Sequence, residues 1–131
     1  MPTIPHLLLA ATGLALATLA SALPAQGSPP APDEAARGKA VFTRHCAACH
    51  GRGPGDDGSP HLPGTTALAA RYQGSLPGAL EERADLDTET ILYFVRHGSG
   101  PMPMFRKTEV SDADVGAIAA YLATSATSRQ K

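Results

Sequence analysis

Cys46-Ala47-Ala48-Cys49-His50 holds both cysteines of the 131-residue chain and ends in a histidine. C-x-x-C-H is the attachment sequence of c-type haem. The spacing follows from the chemistry. Two thiols three positions apart on one helical turn can each add to a vinyl group of the same porphyrin. The next residue then lies under the iron and offers an imidazole nitrogen as proximal ligand. Other uses of the pair fit less well. A thioredoxin-like redox pair calls for a βαβ pattern, and none surrounds the motif. A zinc half-site lacks its second half, since there is no further cysteine pair and no H-x-x-x-H. A disulfide across two residues is strained and seldom chosen for stability.

Upstream, the first 32 residues carry no Asp, Glu, Lys or Arg. The apolar run from Leu7 to Ala20 is followed by Ala20-Ser21-Ala22, a small-x-small cleavage signal. Residues 1–22 therefore read as a secretory signal peptide, and 23–32 as a flexible Pro/Ala-rich linker. The alternative is an uncleaved anchor, because the run stretched to Leu23 approaches a membrane-spanning length. Export agrees with the motif, since haem c is attached outside the cytoplasm, where thiols are handled by dedicated machinery. The expected location is periplasmic, with membrane contact only if the leader is retained.

The remainder is one domain over residues 33–126 with a tail at 127–131. It is roughly a hundred residues, the size of a small single domain. There is no Trp, and aromatic residues make up 5% of the chain, thin material for a core unless a porphyrin adds apolar mass. The formal net charge of −1 argues against a nucleic-acid partner.

Downstream and upstream of the motif the pattern is helical. Asp33 to His45 reads as a helix, with Asp33 as cap, Glu34 at its positive end, and Ala35, Gly38, Val41, Phe42 and His45 on one face. Gly51 to Gly64 is dense in turn formers and reads as a loop. Short helical pieces are expected over Thr66–Tyr72 and Pro77–Arg83. Asp87 or Thr88 caps a helix over Glu89–His97, which Gly98 stops. Gly98 to Phe105 forms a second loop stiffened by Pro101 and Pro103. Ser111 to Asp114 opens a last helix like a capping box, with Val115, Ile118, Ala119 and Leu122 at helical spacing. No alternating strand pattern occurs, so the fold class is all-α: three main helices plus short helical segments around one covalently bound haem.

This ordered set resembles a class I cytochrome c over essentially the whole of residues 33–126. The resemblance implies an electron-transfer protein and not an enzyme, with one haem c attached through Cys46 and Cys49 and with His50 as proximal ligand. It pairs Gly38 and Phe42 of the first helix with Tyr121 of the last. Met102-Pro103-Met104-Phe105 is similar to the family's M-P-x-F sequence, whose first Met is the distal iron ligand. Met104 stays open as the alternative, because residues i and i+2 of an extended loop face the same way. Ser59-Pro60-His61-Leu62 is similar to the family's G-P-x-L segment, with Ser59 in place of Gly. There the Pro60 carbonyl would accept the Nδ1 proton of His50 and Leu62 would pack on the porphyrin. His61 and His97 are further distal candidates, although solvated or capping roles suit them better. A haem-bearing four-helix bundle would carry the motif on its last helix, whereas here it closes the first.

A iron coordinated by both His and Met leaves no position for substrate, which points to outer-sphere transfer. The expected function is carriage of single electrons between periplasmic redox proteins, a donor dehydrogenase and an acceptor oxidase or cytochrome. Two other readings stay open: a dedicated electron-accepting subunit of a periplasmic dehydrogenase complex, and a haem-based ligand sensor or peroxidase. Arg44, Arg52, Arg106 and Lys107 flank the two haem-contacting segments and would ring the haem edge, neutralise its propionates, or simply be solvated. Glu81, Glu82, Asp85, Asp87 and Glu89 read as a solvated acidic run. Leu68 to Leu86 reads as an insertion near the propionates.

Overall fold

The computed structural model describes residues 32–128. The expected leader, all of the linker but its last residue, and the final residues of the tail (129–131) lie outside the described residues. The elements in order are α1 (Pro32–His45), α2 (Ala47–His50), α3 (Pro63–Tyr72), a 3-10 turn (Leu80–Glu82), α4 (Thr88–His97) and α5 (Asp112–Thr127). Among the described residues the only extended pairing is an isolated bridge between Ser99 and Met102. The all-α expectation holds.

The packing of α1 against α5 forms the centre of the molecule. Phe42 of α1 is 1% exposed, and its ring centroid lies 5.6 Å from that of Tyr121. Gly38 removes the side chain where the two backbones touch, opposite Ala117 and Ile118. Val115, Ile118 and Leu122 of α5 complete a cluster with Phe42, Val95 of α4 and Val110. Burial of these apolar side chains is the main gain, because removing each from water is worth about 1.5–3 kcal/mol.

The helix ends follow local chemistry. The Asp87 carboxylate accepts from the Thr90 N–H at 2.7 Å. Ser111 and Asp114 form a full capping box, each side chain accepting the other's backbone N–H, which satisfies donors that a helix start leaves orphaned.

Two expectations change. The helix expected over Thr66–Tyr72 begins at Pro63, where a proline at the first position loses no hydrogen bond. The piece expected over Pro77–Arg83 shrinks to the single turn Leu80–Glu82. Its acidic side chains serve tertiary contacts: Tyr121 donates to the Glu81 carboxylate, and Glu82 pairs with Arg52 at 3.3 Å. Arg83 is buried, paired with Asp85, and its guanidinium lies 4.7 Å from the centroid of the Tyr72 ring. The acidic run is therefore largely engaged, and the segment after α3, residues 73–86, packs on α3 through Arg83 and on α5 through Glu81.

Candidate haem site

At Cys46 the chain turns out of α1 and winds one further helical turn. Cys46 N–H donates to the Phe42 carbonyl at 2.8 Å, and the N–H groups of Cys49 and His50 both donate to the Cys46 carbonyl, at 3.1 and 2.9 Å. This sets Cys46, Cys49 and His50 at i, i+3 and i+4, neighbours on one helix face. Both cysteines are free thiols. Burial, reinforced by the adjacent Cys49, pushes the Cys46 thiol up to about 11, so it stays protonated at neutral pH.

The turn is locked from outside by Thr65 of α3, a buried residue whose hydroxyl donates to the Gly51 carbonyl at 2.8 Å. The sequence reading did not single out Thr65, since its contact spans a loop and leaves no local pattern. Gly64 beside it accommodates the His50 imidazole: a Cβ there would lie 2.7 Å from His50 Cε1 and 2.8 Å from Nδ1.

Burial lowers the pKa of His50 from its ordinary value, keeping the ring neutral and its lone pair available as a ligand requires. Its Nδ1 is buried without a hydrogen-bond partner. The hydrogen bond expected from His50 Nδ1 to the Pro60 carbonyl is thus not made in this structure. The Gly55–His61 segment closes on itself instead. Gly55 N–H donates to the Ser59 carbonyl at 2.9 Å, and the Ser59 hydroxyl donates to the His61 carbonyl at 2.8 Å. Pro60 and His61 are exposed. Leu62 is half-buried at the start of α3 and shares a groove with Ala48 of the motif.

The second segment leaves α4 at Gly98. There φ is +68° and a Cβ would lie 2.6 Å from the Met102 carbonyl oxygen, so only glycine lets the loop fold back this tightly. Ser99 and Met102 exchange N–H···O bonds of 3.1 and 3.0 Å. Between them stand Gly100 with φ of +56° and Pro101, whose ring fixes a negative φ, the sign pattern of a type II′ turn. Met102 is half-buried in this clamp, while Met104 is 64% exposed. Phe105 returns to the helix, its N–H donating to the Val95 carbonyl at 2.7 Å, and packs edge-on to His45 at 6.0 Å between ring centroids. The exposed His97 is engaged locally: Nδ1 lies 2.7 Å from the Tyr93 carbonyl oxygen, and its ring stacks on Tyr93.

Of the four flanking cations, three are committed to contacts within the protein. Arg52 donates to the Glu81 carbonyl at 2.8 Å as well as pairing with Glu82. Arg106 pairs with Glu109 at 3.3 Å, and Lys107 with Asp112 at 2.7 Å.

The donor set suits a haem c: two free thiols on one turn, a neutral imidazole on the next residue, and a clamped thioether on a separate loop. Among the described residues no three or more His, Cys, Asp or Glu side chains converge to hold a bare metal ion. Comparison with known proteins agrees. Residues 33–122 match the family described as "Cytochrome C oxidase, cbb3-type, subunit III". The chain is 36% identical over 113 residues to a cytochrome c6 of Picosynechococcus sp., across 86% of this chain and 91% of that one. It is 32% identical over 87 residues to a cytochrome c6 of Chlorolobion braunii, across 66% and 85%. On these matches and this architecture, the chain belongs to the class I cytochrome c family, as a monohaem electron-transfer protein with covalently bound haem c and not an enzyme.

Proposed function

We propose that the protein is exported through its 1–22 leader and carries single electrons between periplasmic redox proteins, its haem iron held by His50 and Met102. The haem, when bound, supplies a one-electron couple, and a thioether ligand favours the reduced iron. The chain's own residues hold and tune that couple. Cys46 and Cys49 retain the porphyrin covalently, Leu62 contributes apolar surface, and the paired prolines 101 and 103 limit the entropy that Met102 loses on ligation.

The observation that carries the ligand assignment is the contrast between the two methionines. Met102 is clamped at both N–H and C=O by Ser99, while the Met104 side chain lies in solvent. Spectra of the purified holoprotein test it. The oxidised form should show the weak far-red band of a thioether-bound ferric haem, and the reduced form should not respond to CO. Met102→Ala should abolish the band and admit CO, whereas Met104→Ala should leave both unchanged. The reverse result moves the ligand to Met104, and prompt CO binding by the unmutated protein would favour the sensor or peroxidase reading.

The family match to an oxidase subunit gives a specific reason to keep a second reading, a dedicated subunit of a larger redox complex. Purification in stoichiometric complex would support it. Weak, salt-sensitive association would support the free carrier, since redox encounters use small interfaces.

A further inference from the structure

We infer that Arg96 is a positioning residue for the distal ligand: its guanidinium holds the exit of the methionine loop and thereby keeps the Met102 thioether on the iron. The inference rests on the His50/Met102 reading above.

Arg96 occupies the last turn of α4, with a side chain 17% exposed. Nη1 donates to the Phe105 carbonyl at 3.0 Å. Nη2 donates to the Val110 carbonyl at 2.8 Å and to the Asp112 carboxylate at 2.6 Å. One side chain thus ties together the end of α4, the end of the methionine loop and the start of α5. The loop is fixed at its entry by the Ser99–Met102 hairpin. At its exit both backbone groups of Phe105 are bound to α4, the N–H through the Val95 carbonyl and the C=O through Arg96. Met102 closes the first of these fixed points, and Phe105 is the second.

A planar fork is needed here. The three acceptors are shared by two nitrogens held in one plane, whereas a lysine would have to reach all of them from a single nitrogen. Removing the fork leaves Asp112 still paired with Lys107, so the loss falls on the Phe105 and Val110 carbonyls, and the loop exit is left with the Phe105 N–H to Val95 bond alone.

A clasp that merely stabilised the fold would not discriminate between the loop and other parts of the molecule. Arg37 provides the comparison: its ion pair joins α1 to the same first turn of α5 through Asp114 at 2.6 Å and not to the loop. The experiment uses the holoprotein and follows the far-red band against pH, together with the response to CO after reduction. Arg96→Met should lose the band at a pH lower by about one unit or more, the scale set by a hydrogen bond to a charged group, and once reduced it should combine with CO, to which the unmutated protein does not respond. Arg96→Lys, which keeps the charge and fills more of the site, should fall between and serves if the Met variant does not fold. Arg37→Met should leave both readouts at their unmutated values even where it lowers the melting temperature. Arg96 variants with an unmoved band and an unchanged CO response would overturn the inference alone, as would an Arg37 variant that moved them equally. Absence of the band from the unmutated protein would overturn the ligand assignment, and the inference with it.

Discussion

Two glycines show how much the surroundings of one residue decide. At Gly38 a Cβ would lie 1.8 Å from the Ala117 carbonyl oxygen and 2.4 Å from its carbon, both backbone atoms that cannot swing aside. Gly38→Ala must therefore push α1 and α5 apart, and we expect a loss of about 3 kcal/mol, read from the denaturant midpoint of the holoprotein. Gly116 lies within α5, and a Cβ there meets nothing within 4 Å. The same change should stabilise the protein by about 0.5–1 kcal/mol, since alanine restricts the unfolded chain and favours the helix. Equal effects at the two sites would show that the helix crossing is looser than these distances imply. The crossing glycine was legible in the sequence only through family resemblance. Helical spacing puts Gly38 on the packed face, but no local rule says what it meets.

At the scale of elements, the start of α5 shows the link between a helix cap and pH. The Asp114 carboxyl is held at about 2, first by the Ser111 hydroxyl and backbone N–H and then by Arg37. Its pKa in the folded state lies below the unfolded value of about 3.9, so the native state binds fewer protons through that range. The stability it contributes is complete above about pH 5 and is lost as pH falls from about 4 towards 2. Solvent screening keeps the contribution small. Asp85, Asp87, Glu109 and Asp112 are shifted in the same direction by their own partners, so acid should weaken the molecule at several joints together. Asp114→Asn should flatten part of this acid dependence in urea titrations between pH 2 and 5. Ser111→Ala should cost about 1 kcal/mol at neutral pH; no loss at either pH would mean that the cap does not bear on stability. Caps of this kind are readable from sequence because donor and acceptor sit three residues apart, which is why α4 and α5 were expected close to where they lie. The turn at Leu80–Glu82 was not, because its carboxylates answer to Tyr121 and Arg52 rather than to their own backbone. Arg96 was missed for the same reason: its acceptors stand 9 to 16 residues away. The motif, the loop glycine and the two methionines were visible as short patterns, whereas the residues that hold them, Thr65, Gly64 and Arg96, were not.

For the whole molecule, the question is what makes so small a core sufficient. The fully buried large side chains are Phe42, Ile118, Leu122, Val110 and Val115, all at the α1–α5 crossing or against it. The next layer differs: Cys46, Ala47, Leu80, Leu86, Ile91, Leu92 and Phe105 pack against that cluster but are only partly buried. Full burial is thus confined to the helix crossing and its immediate neighbours. A domain of about a hundred residues that buries this little is marginal, and a covalently held porphyrin adds apolar surface where the chain is short of it. Binding to the native state but not the unfolded one shifts the folding equilibrium by mass action, and covalent attachment prevents loss of the ligand by dilution. Cys46→Ala/Cys49→Ala, produced where no haem is attached, should therefore keep helical far-UV circular dichroism in part and lose cooperative thermal unfolding. The holoprotein should melt in one sharp transition. The contrast should be steepest in hydrogen exchange. Amides of α1 and α5 near Phe42 and Ile118 should retain protection in the apoprotein, and those of the motif, α3 and the methionine loop should not. Uniform protection across both sets of amides would show that the polypeptide folds without its cofactor, and that the haem serves electron transfer without also serving as core.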